Sequence, residues 1–393
     1  MLELLAPEHR VTLLTPRPAA GQPPPPAEAA VITYRGVGAA GAAGAASHLL
    51  GAASGLARAA VRGLPLQSGL FFSPDLRRQL RLLAPRAGLA VLQLVRLAAH
   101  RRDLGATPVL VDLVDDLALN LARRAAVDRP WLRPALALEA RLLARAQDRL
   151  ASEAGGVLVV CDRDRRHLAQ RLPAGVAGRL RTVGLAVAPA GSAGPWSGAP
   201  DPVGDAGSPR VVFTGNLGYF VNADAISWWL REVWPALAAR LPELNLVIAG
   251  DRPPPALWRA AAAAGAAAGG AAGAVTLLAG PPDLRPVLAG AIAAIAPMRC
   301  GSGAPVKILE AWSQGVPVVA SAWAAAGTGG VPGDDLLVAD SPGQWVEALA
   351  GLARDPAARR RLAANGSRRL LTDYSRETVK ARLLAAVAAA AAS

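Results

Sequence analysis

The stretch 297–321, PMRCGSGAPVKILEAWSQGVPVVAS, limits what this chain can fold into more than any other. An apolar run over 292–297 leads into Gly301-Ser302-Gly303. A helical period over 306–313 follows, closed by Gly315, and 316–320 has the length and composition of a second buried strand. Glycines let a backbone come close to a ligand, and the helix start behind them points N–H groups at it, which suits a diphosphate. Lys307 and Glu310 lie three apart and share one face of that helix. A cation for phosphate beside a carboxylate that accepts from sugar hydroxyls fits a nucleotide-diphosphate site.

Composition sharpens the reading. Of 42 lysines and arginines only Lys307 and Lys380 are lysine, and Ala, Gly, Pro and Arg dominate, as GC-rich codons would produce. Lys, Asn, Phe, Tyr and Ile are therefore residues that resisted a drift, and they concentrate in VKILEA and in 213–222, FTGNLGYFVN. Buried packing accounts for the Phe and Ile more readily than for Lys307.

At 393 residues the chain exceeds one ordinary core, so two domains are expected. The 52% hydrophobic content is inflated by alanine, and no strongly apolar run reaches about 18 residues. The Ala/Gly stretch 36–60 comes nearest and is broken by His48 and Arg58. Residues 1–6 carry no signal-peptide pattern. Cys161 and Cys300 stand far apart, and the four histidines (9, 48, 100 and 167) are scattered, so no disulfide or metal pattern is visible and a reducing cytoplasm is the simplest setting. The net charge of +13 suggests an anionic partner, but at 4% aromatic the chain lacks a nucleic-acid platform, and nucleic acid is not expected as a partner.

Strands are expected at 11–15, 31–34, 64–66, 89–94, 109–112, 157–161 and 180–183, with helices starting at Ser73-Pro74 and covering 134–152 and 164–171. Residues 16–30 read as a proline-rich loop, 36–62 as a poorly specified Ala/Gly segment helical around 47–62, and 96–102 as a basic connection. Asp115 and Asp116 follow a strand end, where open α/β sheets put ligands, although helix capping explains them equally well. Residues 189–209, rich in Gly, Pro and Ser, form the clearest linker. Alternation then restarts: strands at 210–214, 244–249, 275–278, 292–297 and 335–339, a helix over 223–241 capped by Asn222, a short one at 283–289, and helices at 344–354, 356–372 and from 375 on. Trp228, Trp229, Trp234, Trp258, Trp312, Trp323 and Trp345 are expected mostly as helix-face core residues.

This α/β pattern of two doubly wound halves, the second containing PVKILEAWSQGVPVVAS, resembles the GT-B glycosyltransferases, specifically the retaining family-4 (group 1) enzymes. The likeness is carried across 211–379 by FTGNLGYFVNADAISWWLREVWP, by the stretch from VTLLAGPPD to PVVAS, and by LLVADSPGQWVEALAGLARDPAARRRL. In the first half, LVDLVDDLALNLARRA and LVVCDRDRRHL resemble the acceptor domain of a subgroup linked to exopolysaccharide clusters. The resemblance implies two Rossmann-like domains with an interdomain cleft: 1–188 on the acceptor side, a linker at 189–209, a nucleotide-sugar domain at 210–374, and a C-terminal helix at 375–393 packing back on the first domain.

By the same resemblance Glu310 holds the donor ribose and Lys307 contacts the diphosphate or the region next to it, which makes these two the candidate catalytic residues. Gly215 and Asn216 approach the phosphates or sugar from the opposite side. Arg299, Gly301, Ser302 and Gly303 form the loop over the sugar, and Asp115 or Asp116 is the acceptor-side contact. The donor is a nucleotide-diphosphate sugar, the acceptor a glycan or lipid-linked, and no metal or other cofactor is required. The helix around 76–83, with Arg77, Arg78 and Arg81, suggests peripheral contact at the inner membrane face, with a solvated basic face as the plain alternative.

The chain departs from the family pattern in three places. Ser302 stands where the family has the first of its paired glutamates, Pro305 replaces an often basic position, and the sequence starts inside the helix that relatives place after a first strand and a Gly-rich loop. That start implies either a true beginning upstream or a damaged copy. Two other readings share the architecture: a GT-B-type nucleotide-sugar epimerase, which would need acid/base carboxylates and histidine at the cleft, and a truncated, non-catalytic nucleotide-sugar-binding relic.

Overall fold

The computed structural model describes residues 1–16, 30–34, 55–57, 59, 61, 63–188, 209–267 and 274–393. The expected proline-rich loop, most of the 36–62 segment and the linker at 189–209 fall largely outside them. The chain divides into two units, one of Met1–Gly184 with Val379–Ser393 and the other of Leu185–Thr378.

The first unit holds a two-stranded parallel pair, β1 (Thr12–Pro16) and β2 (Ala30–Tyr34), and a four-stranded parallel sheet. The latter runs in order through β3 (Ala90–Gln93), β4 (Val109–Val114), β5 (Gly156–Val159) and β6 (Leu180–Thr182). Successive side chains of a strand face opposite ways, and the core follows that alternation. Val109, Val111 and Leu113 of β4 join Val157 and Val159 of β5 against Leu143 and Leu150 of the helix Arg133–Glu153. Leu110 and Leu158, on the other face, pack with Leu383, Val387 and Ala390 of the helix Arg376–Ala391 and with Leu4 and Leu5. Glycine at 155 and 156 admits that last helix. A Cβ at Gly155 would lie 2.8 Å from the Ala390 carbonyl oxygen, and one at Gly156 would lie 3.4 Å from the Ala390 Cβ.

Several local expectations change. Residues 64–66 form no strand; the helix Leu66–Leu70 occupies the site, and the buried Glu139 carboxylate accepts from the Leu66 and Gln67 N–H groups at 2.9 and 3.2 Å. A cap supplied from 73 residues away leaves no local sequence signal. The basic connection at 96–102 is a 3-10 helix, Val95–Leu104. The helix Pro74–Leu83 begins as its sequence dictates, with Ser73 Oγ accepting from Leu76 N–H at 3.2 Å and proline at the first position. Buried His100 braces that start: its Nε2 accepts from Ser73 N–H (3.2 Å), so the proton sits on Nδ1 and is donated to Asp103 (3.1 Å). Arg77 and Arg81 of the same helix both donate to Asp103.

The second unit is a six-stranded parallel sheet in the order β12-β11-β10-β7-β8-β9. Its strands are β7 (Arg210–Thr214), β8 (Asn245–Gly250), β9 (Val275–Ala279), β10 (Ala293–Ala296), β11 (Val318–Ala320) and β12 (Leu337–Val338). β7 and β10 are buried along their length, as strands covered on both faces must be. The chain winds outward from β7 through β8 to β9, then returns to place β10 on the other side of β7. The winding direction reverses between β7 and β10. Ligands of open α/β sheets bind beyond the carboxyl ends of the strands at such a reversal.

Trp229, Trp234, Trp312 and Trp345 are fully buried, whereas Trp258 is 46% exposed because its helix turns Leu257 and Ala261 inward instead. The helix expected over 223–241 is two helices, Phe220–Glu232 and Trp234–Arg240, the second with Pro235 in its first turn.

Candidate donor site

The carboxyl end of β7 runs into Gly215-Asn216-Leu217-Gly218. Gly215 has φ +142°, and a Cβ there would come within 3.0 Å of the Asn222 amide and 3.3 Å of Lys307 Nζ. A Cβ at Gly250, the end of β8, would overlap the Gly215 carbonyl oxygen, so the closeness of the two strand ends demands glycine at 250, while Asn222 and Lys307 crowd position 215. Asn216 Oδ1 accepts from Gly218 N–H at 3.1 Å and the Asn216 carbonyl accepts from Asn222 Nδ2 at 2.9 Å, which fixes the turn. Asn222 is therefore not the helix cap expected of it; it lies inside the helix Phe220–Glu232, behind Tyr219.

The carboxyl end of β10 runs into the loop 297–305. Gly301 and Gly303 adopt φ +107° and +71°. The loop is held from behind: Ser321 Oγ donates to the Met298 carbonyl at 2.7 Å and Trp323 Nε1 to the Gly301 carbonyl at 3.1 Å. The helix Val306–Ser313 follows where the sequence placed it, behind Pro305, and no side chain caps it. Its first-turn N–H groups thus carry the partial positive charge of a helix start without a protein acceptor drawn from a cap.

Lys307 and Glu310 both reach toward the end of β7. Lys307 is 8% exposed; its Nζ donates to Asn222 Oδ1 at 2.8 Å and lies 4.9 Å above the Phe213 ring. Burial, partly opposed by the Glu310 charge, lowers its pKa to about 8. Glu310 accepts from Thr214 Oγ1 at 3.4 Å, and burial raises its carboxyl above the usual range despite Lys307 and Thr214. The two side chains that the sequence paired on one helix face therefore meet the glycine turn after β7. Lys307 is nearly buried, and its bond to Asn222 holds it there.

Arg299 is engaged differently from expectation: its guanidinium grips Asp224 of the helix Phe220–Glu232 through two bonds of 2.7 and 3.0 Å. Ser302 is half-buried in the loop. In the first unit, Asp116 is fully buried and caps the helix Leu117–Val127, accepting from Leu119 N–H at 3.1 Å. It also takes His167 Nδ1 at 2.6 Å and Arg171 at 3.2 Å. Burial raises its carboxyl, but the His167 bond and the Arg171 charge outweigh this and hold it below the usual range. Its role here is the capping one; Asp115 beside it is half-buried. Sequence reading missed Asn222 as the Lys307 partner, although 213–222 had stood out by composition. It also missed Thr214, the brace from Ser321, the last residue of the motif, and that from Trp323 just beyond it.

Among the described residues, no helix is long and apolar enough to cross a membrane, and no group of three or more His, Cys, Asp or Glu side chains is placed to hold a metal ion.

Residues 208–355 match the family of group 1 glycosyl transferases. A relative, an uncharacterized 44.6 kDa protein in the cps region of Klebsiella pneumoniae, is 25% identical over 172 residues, covering 43% of this chain and 44% of that protein. Sucrose-phosphate synthase from Thermosynechococcus elongatus has a similar structure, with a TM-score of 0.68 at 16% identity over 98% of this chain and 90% of that one. Anabaena HepE, solved with UDP-glucose, gives 0.57 at 14% identity over 80% and 82%. Trehalose 6-phosphate synthase from Burkholderia multivorans gives 0.59 at 16% identity over 88% and 84%. The two larger parallel sheets are those of the GT-B fold, and the segment that matches the group 1 glycosyl transferases spans β7 to β12 of the second one.

Proposed function

We propose that this protein is a retaining glycosyltransferase that moves a sugar from a nucleoside-diphosphate sugar to a glycan or lipid-linked acceptor in cell-surface polysaccharide assembly. The observation that carries the reading is the meeting of Lys307, Glu310 and the turn Gly215–Gly218 at the reversal between β7 and β10. The uncapped helix start behind Gly301–Gly303 supplies N–H groups to the diphosphate, where charge accumulates as the sugar leaves. Lys307 adds a cation whose pKa rises again when phosphate arrives, and Glu310 accepts from the ribose hydroxyls. HepE was solved with UDP-glucose, which supports a donor of that class; the cps-region relative supports the polysaccharide setting.

Membrane contact through the helix Pro74–Leu83 finds less support, because Arg77 and Arg81 are already paired with Asp103. In this reading the acceptor, rather than that helix, brings the enzyme to a membrane surface.

The test is thermal protection by UDP, ADP and GDP, followed by sugar transfer or donor hydrolysis with the corresponding sugar nucleotides. Protection by one of them, lost in both Glu310→Ala and Lys307→Ala, is expected. Protection that survives in both variants removes the pair from the donor site, and an epimerised rather than transferred sugar would replace the transferase reading.

A further inference from the structure

We infer that Arg252 is a phosphate-binding residue of the donor site, placed across the β7 turn from Lys307. The inference rests on the nucleotide-sugar reading above and assigns that site a cation which neither the motif nor the matched family description singles out.

Three observations converge on Arg252. The first is position: it follows the carboxyl end of β8, the strand beside β7, and lies directly over the glycine turn. Leu217 and Gly218 both donate their N–H groups to the Asp251 carbonyl, at 2.8 and 3.2 Å. A Cβ at Gly218 would stand 3.1 Å from the Arg252 Cβ, so Gly218 is what lets this residue sit above the turn. With β10 and Lys307 on one side of β7 and β8 on the other, the two cations flank the turn.

The second is backbone conformation. Arg252 has φ +53°, a left-handed geometry that glycine or asparagine adopts with less strain, and Pro253 after it disfavours the right-handed alternative. Strained non-glycine residues at the ligand edge of a sheet are kept where the surrounding structure needs that side chain in that direction.

The third is the distribution of charge at this edge. Arg299 is gripped by Asp224 and Lys307 is buried against Asn222. Arg252 is exposed, and among the described residues its guanidinium has no hydrogen-bond or ion-pair partner. An exposed guanidinium without a protein partner has its forked donors available to phosphate oxygens, which it can bind in pairs.

Calorimetry on the full chain tests this. Wild type is titrated with UDP, ADP and GDP to find the nucleotide it takes; then Arg252→Ala, Arg252→Lys and Arg252→Gly are titrated with that diphosphate, its monophosphate, its nucleoside and inorganic pyrophosphate. A charge-assisted contact predicts that Arg252→Ala weakens diphosphate and pyrophosphate binding about ten- to a hundredfold. The monophosphate should lose less and the nucleoside nothing, Arg252→Lys should recover part of the affinity, and the salt dependence should become shallower. Arg252→Gly is the control for a merely structural role: relieved of backbone strain, it should melt at or above the wild-type temperature and still lose diphosphate affinity. Unchanged diphosphate affinity in Arg252→Ala overturns the assignment, as does an equal loss for nucleoside and diphosphate, which would put the side chain on the base. Wild type that takes no nucleoside diphosphate overturns both this inference and the reading beneath it, whereas variants that bind as wild type does overturn this inference alone.

Discussion

At the carboxyl ends of β4 and β5 the charged side chains answer one another, whereas among the described residues at the carboxyl ends of β7, β8 and β10 Arg299 alone is paired, with Asp224, and Lys307, Glu310 and Arg252 are short of charged partners. Asp116 draws His167, Arg171 and a helix N–H onto one carboxylate, and Arg171 passes on to Asp148. Glu310 has one long bond to Thr214, Lys307 one amide oxygen, and Arg252 no described partner. Both edges also carry left-handed non-glycine residues: Leu94 and Val114 in the first unit, Arg252 in the second. Val114 is tied on both sides, its N–H donating to Asp112 at 3.0 Å and its carbonyl accepting from Val160 N–H at 2.8 Å. The same fold edge is thus used in two ways. Saturated charges cross-brace helices, and losing one partner is costly; on the proposed reading, under-partnered ones leave binding energy for an incoming anion and cost stability until it arrives.

The strongest way to break this comparison is Asp116→Ala. Removing the acceptor strands Arg171 and His167 around a buried hole, and loss of one partner of a buried network is expected to lower the stability of the first unit by about 3–5 kcal/mol. Urea denaturation should show the loss while nucleoside-diphosphate affinity under native conditions stays put; reduced affinity would mean that this carboxylate serves a ligand after all.

Next in size is a pH effect confined to the second unit. Lys307, at about 8 when folded against an ordinary 10.5, binds fewer protons folded than unfolded between those two values. Stability therefore rises as pH climbs through that window, by up to ~3 kcal/mol. Lys307→Met should flatten the rise in a denaturation series. Diphosphate affinity should move the opposite way, falling above about pH 8 as the amine loses its charge. A wild-type stability profile that matches the variant's would refute the burial argument.

Lys307→Met also sharpens the contrast at fixed pH. Its stability should be unchanged or higher by ~1 kcal/mol, since an apolar chain replaces a poorly compensated buried charge. Its diphosphate affinity should fall by ~2 kcal/mol, as for a lost charge-assisted bond. Measured together by melting and calorimetry, the two changes should have opposite signs; a parallel loss of both would make Lys307 a structural residue.

The smallest effect belongs to Ser73→Ala. Loss of its cap on Leu76 N–H should cost about 1 kcal/mol of the first unit's stability. Nucleotide binding should be untouched, and chemical denaturation with a parallel titration checks both.

How much of this was legible in the sequence follows from where each signal was stored. The helix Val306–Ser313 and its closing Gly315 were readable to the residue, because period, flanking glycines and strand-length runs are all local. Ser73-Pro74 was readable for the same reason. The start of the helix Phe220–Glu232 was not: Asn222 has the composition of a cap, but its amide is consumed by Asn216 and Lys307, the latter 85 residues away. The helix Leu66–Leu70 escaped notice because its cap comes from Glu139. Lys307 and Glu310 could be paired from spacing alone, yet the depth of Lys307 depends on that Asn222 contact. Arg252 carried no signal, since an arginine between Asp251 and Pro253 looks like any surface residue until its φ and its neighbour Gly218 are seen.

The helix Arg376–Ala391 supplies one face of the first unit's core, against strands encoded more than two hundred residues earlier. The second unit, Leu185–Thr378, is contiguous and lies wholly between the two parts of the first. During synthesis the second unit can therefore reach its native arrangement as it leaves the ribosome, while Leu110 and Leu158 of the first stay uncovered on that face until the helix Arg376–Ala391 has been made. The usual order of assembly, first domain first, is reversed here by one helix encoded after the second unit.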